Sequence, residues 1–320
     1  MLGLVGDLGG TNARFALVED RDGRLEPTRI KALPARDHAS PEDAIAAYLK
    51  DVGAEQPAKV VLAVAGPVKD GAMHFTNLNW QVSEGRLTSL GGFKAARLIN
   101  DFAAQALGAP RLAKDQLRVL GPEIQGAAEG ASVILGPGTG FGLAGLVRQG
   151  GQEVVLATEG GHVGFAPADE LEIEIWRRFA SRRGRISVER VLSGSGLHEL
   201  YQAFGDIEGA PATLEDAKAV QEAAEAGDAL AARTVDRFCR ILGGVAGDFA
   251  LAYGALAGVY VTGGVAEKLA LQLAEGGFRE RFEAKGRFVD YMRAIPTWLV
   301  LDPYAALIGA ASQLAALEAA

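Results

Sequence analysis

Two stretches of this chain follow one plan. Leu4 to Val18 (LVGDLGGTNARFALV) and Val133 to Val147 (VILGPGTGFGLAGLV) each set a glycine turn containing threonine between two apolar runs. Apolar runs joined by so short a turn read as hairpins, and two such hairpins, one in each half, read as a duplicated scaffold. A length of 320 residues is too great for one small core and suits two domains of about 100 to 200 residues. Two lobes imply a cleft between them.

The order of elements points to an α/β layer architecture. The first half reads as a strand pair over 4–18, a strand at 25–33, a helix at 41–52, strands at 59–65 and 97–99, and a helix from Phe102. The pattern loosens between Pro110 and Gly130, which places a domain boundary near residue 110, so that 1–109 and 110–302 form the two domains. The second half carries a hairpin over 132–147 and a glycine loop at 160–164. Helices at 169–182, 187–204, 213–226 and 228–257, a strand at 258–262, a helix from Val265 and a strand at 297–301 follow. The final helix is read from Pro303 to Leu317, with Pro303 in its first turn.

Composition removes several function classes. Hydrophobic residues at 49% and charged residues at 22% are those of a soluble globular protein. A formal charge of -8 repels a phosphate backbone. The Arg177, Arg178, Arg182, Arg183, Arg185 patch reads as the solvated end of an amphipathic helix, so nucleic acid is not an expected partner. Phe249 to Ala266 is uncharged for 18 residues, but four glycines interrupt it; it reads as a buried helix and strand rather than a membrane span. One cysteine, Cys239, excludes an internal disulfide and suits a reducing compartment. With a strand starting at Leu4 there is no room for an export leader, and a cytoplasmic setting is expected.

Glycine turns let backbone N–H groups converge on an anion. Gly9, Gly10 and Thr11 are candidate phosphate donors, and Asp7 beside them makes sense if a Mg²⁺ ion or its water intervenes. The competing reading is a plain tight turn, with Asp7 and Asn12 serving its geometry. The second turn, Gly136-Pro137-Gly138-Thr139-Gly140, favours the phosphate reading. Gly-x-x-x-x-Gly-Lys-Ser/Thr is absent, and Gly140 to Gly145 matches G-x-G-x-x-G but leads into a hairpin, whereas a dinucleotide fingerprint opens a helix. At Gly263-Gly264 a strand runs into a helix N-terminus where a flat adenine or ribose has room; close strand-to-helix packing explains the same glycines.

Asn100-Asp101 ends a strand and begins a helix. Asp101 is a natural N-cap, yet strand ends are also where α/β proteins hold ligands. Glu159-Gly160-Gly161-His162 offers an acceptor and a donor suited to a small polyol, and Glu189 adds an acid that alternatively serves the helix dipole or Arg190. His162 lacks a second ligand at zinc spacing. Phosphoryl transfer needs a positioned donor and acceptor, Mg²⁺ and a carboxylate for the hydroxyl proton; Asp101 is the choice for that base.

Taken in order, GDLGGTNAR (6–14), AVAGPV (63–68), TNLNW (76–80), LINDFAAQALG (98–108), LGPGTGFG (135–142), EGGHVGF (159–165), ERVLSGSGL (189–197) and VTGGVA (261–266) closely resemble the bacterial glucokinase family over nearly the whole chain. The resemblance implies ATP- and Mg²⁺-dependent phosphorylation of D-glucose at its 6-hydroxyl, on a two-domain actin-like (hexokinase-type, ribonuclease-H-like) fold, commonly as a homodimer. It also implies that the final helix, 303–320, returns to the small domain. Position by position, Asn100, Asp101, Glu159, His162 and Glu189 match the glucose-binding residues, with Asp101 the base and Gly138 beside them. Gly6, Asp7, Leu8, Gly9, Gly10, Thr11 and Asn12 match the ATP phosphate loop, with Asp7 holding Mg²⁺ through water. Gly136, Gly138, Thr139 and Gly140 match the second loop, Gly263 and Gly264 the adenosine contact, and Asn77 and Trp80 a loop near the sugar. Ser195 stands where proline is expected, and the cysteine-rich zinc motif of repressor-type sugar kinases is absent. Two rivals stay open: a same-fold kinase of fructose, mannose or glucosamine, and a non-catalytic nucleotide-binding regulator.

Overall fold

The computed structural model describes residues 2–75 and 78–317; Asn77 lies outside the described residues. The chain forms two compact units, Met1–Ala113 with Asp302–Ala320, and Lys114–Leu301.

In the first unit the elements run β1 (Gly3–Leu8), β2 (Asn12–Arg21), β3 (Arg24–Pro34), α1 (Pro41–Asp51), β4 (Lys59–Val64), β5 (Ala72–His74), β6 (Gln81–Ser83), α2 (Glu84–Ser89), β7 (Ala95–Asn100) and α3 (Asp101–Gly108). The main sheet has the order β3-β2-β1-β4-β7, antiparallel from β1 to β3 and parallel across β1, β4 and β7. A parallel strand buried on both faces reads as an unbroken apolar run, and β4 (KVVLAV) does so. Its alternate residues serve two cores. Val60, Leu62 and Val64 join Leu4, Leu8, Phe15, Tyr48 and Trp80, whereas Val61 joins Val5, Ala16, Leu307, Ala310 and Leu314.

That second core rests on the last helix, Ala305–Leu314. It crosses α3 with the backbones in contact: a Cβ on Gly108 would overlap the Ala305 carbonyl oxygen, and one on Gly309 would overlap that of Ala104. Pro303 does not occupy the first turn. It sits in a turn ahead of Ala305, because Tyr304 is the capping residue.

In the second unit the elements are β8 (Leu117–Val119), β9 (Gly130–Pro137), β10 (Phe141–Gln149), β11 (Gln152–Thr158), α4 (Glu170–Arg183), α5 (Val188–Val191), α6 (Gly194–Glu208), α7 (Ala217–Glu225), α8 (Ala229–Tyr253), β12 (Gly258–Val261), α9 (Gly264–Lys268), α10 (Ala270–Ala274), α11 (Gly277–Glu283), α12 (Val289–Arg293) and β13 (Thr297–Val300). The sheet order is β11-β10-β9-β12-β13-β8. Its first five strands repeat the first unit's plan, an antiparallel meander whose first strand pairs in parallel with a later one. The echo between the two glycine hairpins is therefore an echo between two whole sheets.

Side-chain caps set the helix starts. Ser40, Ser83, Asp169, Ser187, Ser193, Asp216 and Asp228 each accept a backbone N–H three residues on. Ser193 explains why the single helix expected over 187–204 is two: its cap begins α6 afresh after α5 ends. Arg177 and Arg178 pair with Glu174, and Arg182 and Arg183 with Asp206 and Glu199, as expected of a solvated helix face. No helix among the described residues is long and apolar enough to cross a membrane.

Candidate active site

In the first unit the turn between β1 and β2 is shorter than the motif suggested. Gly6, Asp7 and Leu8 belong to β1 and Asn12 opens β2, leaving Gly9, Gly10 and Thr11 as the turn. Gly9 donates its N–H to the Asn12 carbonyl at 2.9 Å, so this amide closes the turn and is not offered to an anion. Gly6 is glycine for packing: a Cβ there would stand 2.7 Å from Leu62 and 3.0 Å from Phe15.

Asp7 lies opposite Arg14 in the β1–β2 ladder, and the guanidinium meets its Oδ2 at 3.2 Å. Burial pushes the Asp7 carboxyl above the usual carboxylate range, and Arg14 opposes that shift. A single carboxylate at the rim of a turn fits Mg²⁺, which typically takes one or two carboxylates and completes its shell with water and phosphate oxygens.

At the end of β7, Asn100 rather than Asp101 caps α3. Its Oδ1 accepts the Ala103 N–H at 3.1 Å and its Nδ2 donates to the Gly66 carbonyl at 3.2 Å. Asp101 is the first helical residue and accepts the Phe102 N–H through Oδ1 at 2.9 Å. Its carboxylate thus stands at a helix N-terminus and a strand's carboxyl end together. Trp80 is buried, donating Nε1–H to the His38 carbonyl at 3.0 Å.

In the second unit three predicted residues come together. His162 Nε2 lies 4.0 Å from Glu159 Oε2, and its Nδ1 lies 3.9 Å from Glu189 Oε1. The imidazole is more than half exposed and so is Glu159, which leaves polar edges open to a ligand. Glu189 is held more firmly. Ser187 caps the short α5 that carries it, and its Oε2 accepts the Phe141 N–H at 2.9 Å. Gly140 makes room for this arrangement, since a Cβ there would overlap the Glu189 carboxylate.

The β9–β10 turn is likewise shorter than the motif. Gly136 belongs to β9, and Gly138 donates its N–H to the Gly140 carbonyl at 2.8 Å. Gly136 and Gly263 are demanded by a close approach instead. A Cβ on Gly136 would overlap the Thr262 carbonyl oxygen, and one on Gly263, whose φ of +98° already favours glycine, would stand 2.5 Å from the Pro137 carbonyl oxygen. Gly138 and Gly264 differ from both, facing open space. They line a cavity of about 700 Å³ together with Gly194, Ser195, Gln221 and Lys268. Gln221 had no local signal in the sequence, because its burial beside a cavity is a product of how α7 packs.

A family model described as Glucokinase matches residues 4–317. The chain belongs to the glucokinase family. A glucokinase of Caulobacter sp. (strain K31) is 55% identical over 97% of this chain and 94% of its own length. Among solved structures, the glucokinase from an Antarctic psychrotroph is 38% identical and superposes with a TM-score of 0.90, covering 98% of both chains. A ROK-family glucokinase from Streptomyces griseus, 21% identical with a TM-score of 0.64 over 97% of this chain and 98% of the other, shares the fold. The glucokinase-family fold here is the actin-like sugar-kinase fold expected from the motifs.

Proposed function

We propose that this chain transfers the γ-phosphoryl group of ATP to the 6-hydroxyl of D-glucose. The observation that carries the reading is the convergence of Glu159 and Glu189 on His162, a polar trio that offers acceptors and a ring nitrogen to a polyol. Family membership over residues 4–317 supports the choice of glucose and of ATP.

In this reading Glu159, His162, Glu189 and Asn100 fix the sugar through its hydroxyls, with Gly138 beside them. Asp101 takes the proton of the attacking hydroxyl. Its carboxylate is suited to that task because the Phe102 N–H fixes one oxygen and leaves the other as an acceptor. The amides of Gly10, Thr11, Thr139 and Gly140 receive phosphate oxygens, and Asn12, Gly6, Leu8, Gly9 and Gly136 shape the strands and turns that present them. Gly264 leaves open the surface on which the adenosine lies, and Gly263 permits the close backbone approach to Pro137 beside it. Mg²⁺, when bound, neutralises the charge that develops between the β- and γ-phosphates; Asp7 is the residue to hold it, through water.

The two compact units act as the small and large domains of the enzyme, divided near residue 110. The chain works in a reducing cytoplasm, which suits a single buried thiol, and as a homodimer, carried by the family resemblance and testable by sedimentation velocity. ADP release with ATP, Mg²⁺ and each of glucose, fructose, mannose and glucosamine tests the function. Glucose should give the highest kcat/KM, and failure to exceed the other hexoses sinks the assignment.

A further inference from the structure

The cavity beside Gly138 and Gly264 contains a polar group with nothing to bond. Gln221 is 6% exposed, lines the cavity, and its buried Nε2 has no hydrogen-bond partner. A buried amide donor left unpaired costs about 1–3 kcal/mol, which a chain tolerates where a ligand completes the bond. Three neighbouring polar groups have partners of their own. His198 Nε2 lies 2.9 Å from the Leu214 carbonyl oxygen, Lys218 pairs with Glu222 at 3.6 Å, and Asp216 caps α7 by accepting the Ala219 N–H at 2.8 Å. Gln221 stands one helical turn beyond Ala217, so the capped first turn of α7 fixes its place at the cavity wall.

A carboxamide presents a donor and an acceptor side by side. On its N6/N7 edge adenine sets an amino donor beside a ring-nitrogen acceptor and matches the carboxamide, whereas a 6-oxopurine sets two acceptors there, O6 and N7, which no orientation of the amide can pair with together. Resting on the ATP-dependent kinase reading above, we propose that Gln221 reads the base of the phosphoryl donor and selects adenine over 6-oxopurines. Gly138 and Gly264, whose missing side chains leave the cavity open, give the nucleotide its room, and the Gln221 amide supplies the discrimination.

The test compares ATP with inosine triphosphate at saturating glucose, and ADP with inosine diphosphate by calorimetry, in the full-length wild-type chain, in Gln221→Met and in Gln221→Glu. Gln221→Met keeps the volume and removes both hydrogen-bonding groups. It should raise the KM for ATP about tenfold, act much less on kcat, and lower the ATP to inosine triphosphate ratio of kcat/KM by a similar factor. Gln221→Glu, which replaces the donor by an acceptor, should lower that ratio at least as far. A wild-type chain with no preference for adenine overturns the proposal even if neither variant folds, as does an unchanged ratio in a folded Gln221→Met, whatever happens to its melting temperature. If the wild type binds ADP more tightly than inosine diphosphate yet releases no ADP with any hexose, the kinase reading fails while the role of Gln221 stands.

Discussion

Glu189 holds its carboxylate against the Phe141 N–H at 2.9 Å, in the space that a side chain at residue 140 would occupy. A charged acceptor bound to a backbone donor is stronger than a neutral pair, so the bond orients the second carboxylate oxygen toward His162. The glycine turn and the Glu159–His162–Glu189 trio are therefore one construction: the turn's geometry fixes the acid.

Gly140→Ala should expel the Glu189 carboxylate from this position while leaving the β9–β10 ladder intact. Displacements of this size commonly cost about 10²-fold, and the loss should fall mainly on the KM for glucose. Steady-state kinetics with glucose varied at fixed ATP is the check, and unchanged kinetics would show that the acid's placement is unimportant.

Asp101→Asn keeps the acceptor for the Phe102 N–H and the first turn of α3, since Asn100 and not residue 101 is the cap. Melting temperature should hardly move. Turnover should fall by about 10²- to 10⁴-fold, with glucose binding still measurable by calorimetry; a fully active variant would refute the role of base.

Asp7 carries a pH signature. Its carboxyl is raised in the folded chain by burial, so the folded state binds more protons than the unfolded between the unfolded value near 3.8 and the raised value. Stability therefore falls as pH rises through that window, and the cost persists at neutral pH. Asp7→Asn removes it. Scanning calorimetry from pH 3 to 7 should show little difference between the proteins at the acid end and a growing advantage for Asp7→Asn above it, accompanied by loss of Mg²⁺-dependent turnover. A variant less stable than wild type at pH 7 contradicts the sign. Such a gain would mark Asp7 as a position kept for activity at the expense of stability.

Cys239 lies within α8 at 1% exposure, and burial pushes its thiol well above the usual range. Thiolates react and thiols do not, so Ellman's reagent should leave the native chain unmodified over minutes and titrate one thiol in guanidinium. Rapid labelling of the folded protein would contradict the burial.

What the sequence disclosed depended on how local each signal was. The apolar run of β4 and the two glycine hairpins announced themselves, because a strand buried on both faces leaves little choice of residue. The cap of α3 is Asn100 and not the expected Asp101, since adjacent Asn and Asp are equally good capping residues and only the hydrogen bond decides. The glycines at 6, 136 and 263 sit in phosphate-loop and adenosine motifs, and nothing near them in the sequence shows that Leu62, Thr262 and Pro137 also crowd these positions. Glu189 lies 48 residues beyond Phe141, its backbone partner. No window slid along the chain contains both.

The seam between Gly108 and Gly309 bears on the order in which this protein is made. Residues 114–301 hold a sheet and a core of their own in one continuous stretch, so they have what they need to fold as soon as they leave the ribosome. The first unit must wait: one face of its sheet stays bare until Leu307, Ala310 and Leu314 emerge, roughly two hundred residues after β7. Of the two units, the one whose strands are translated first is thus completed last, and in the interval its exposed apolar face is the natural substrate for a chaperone.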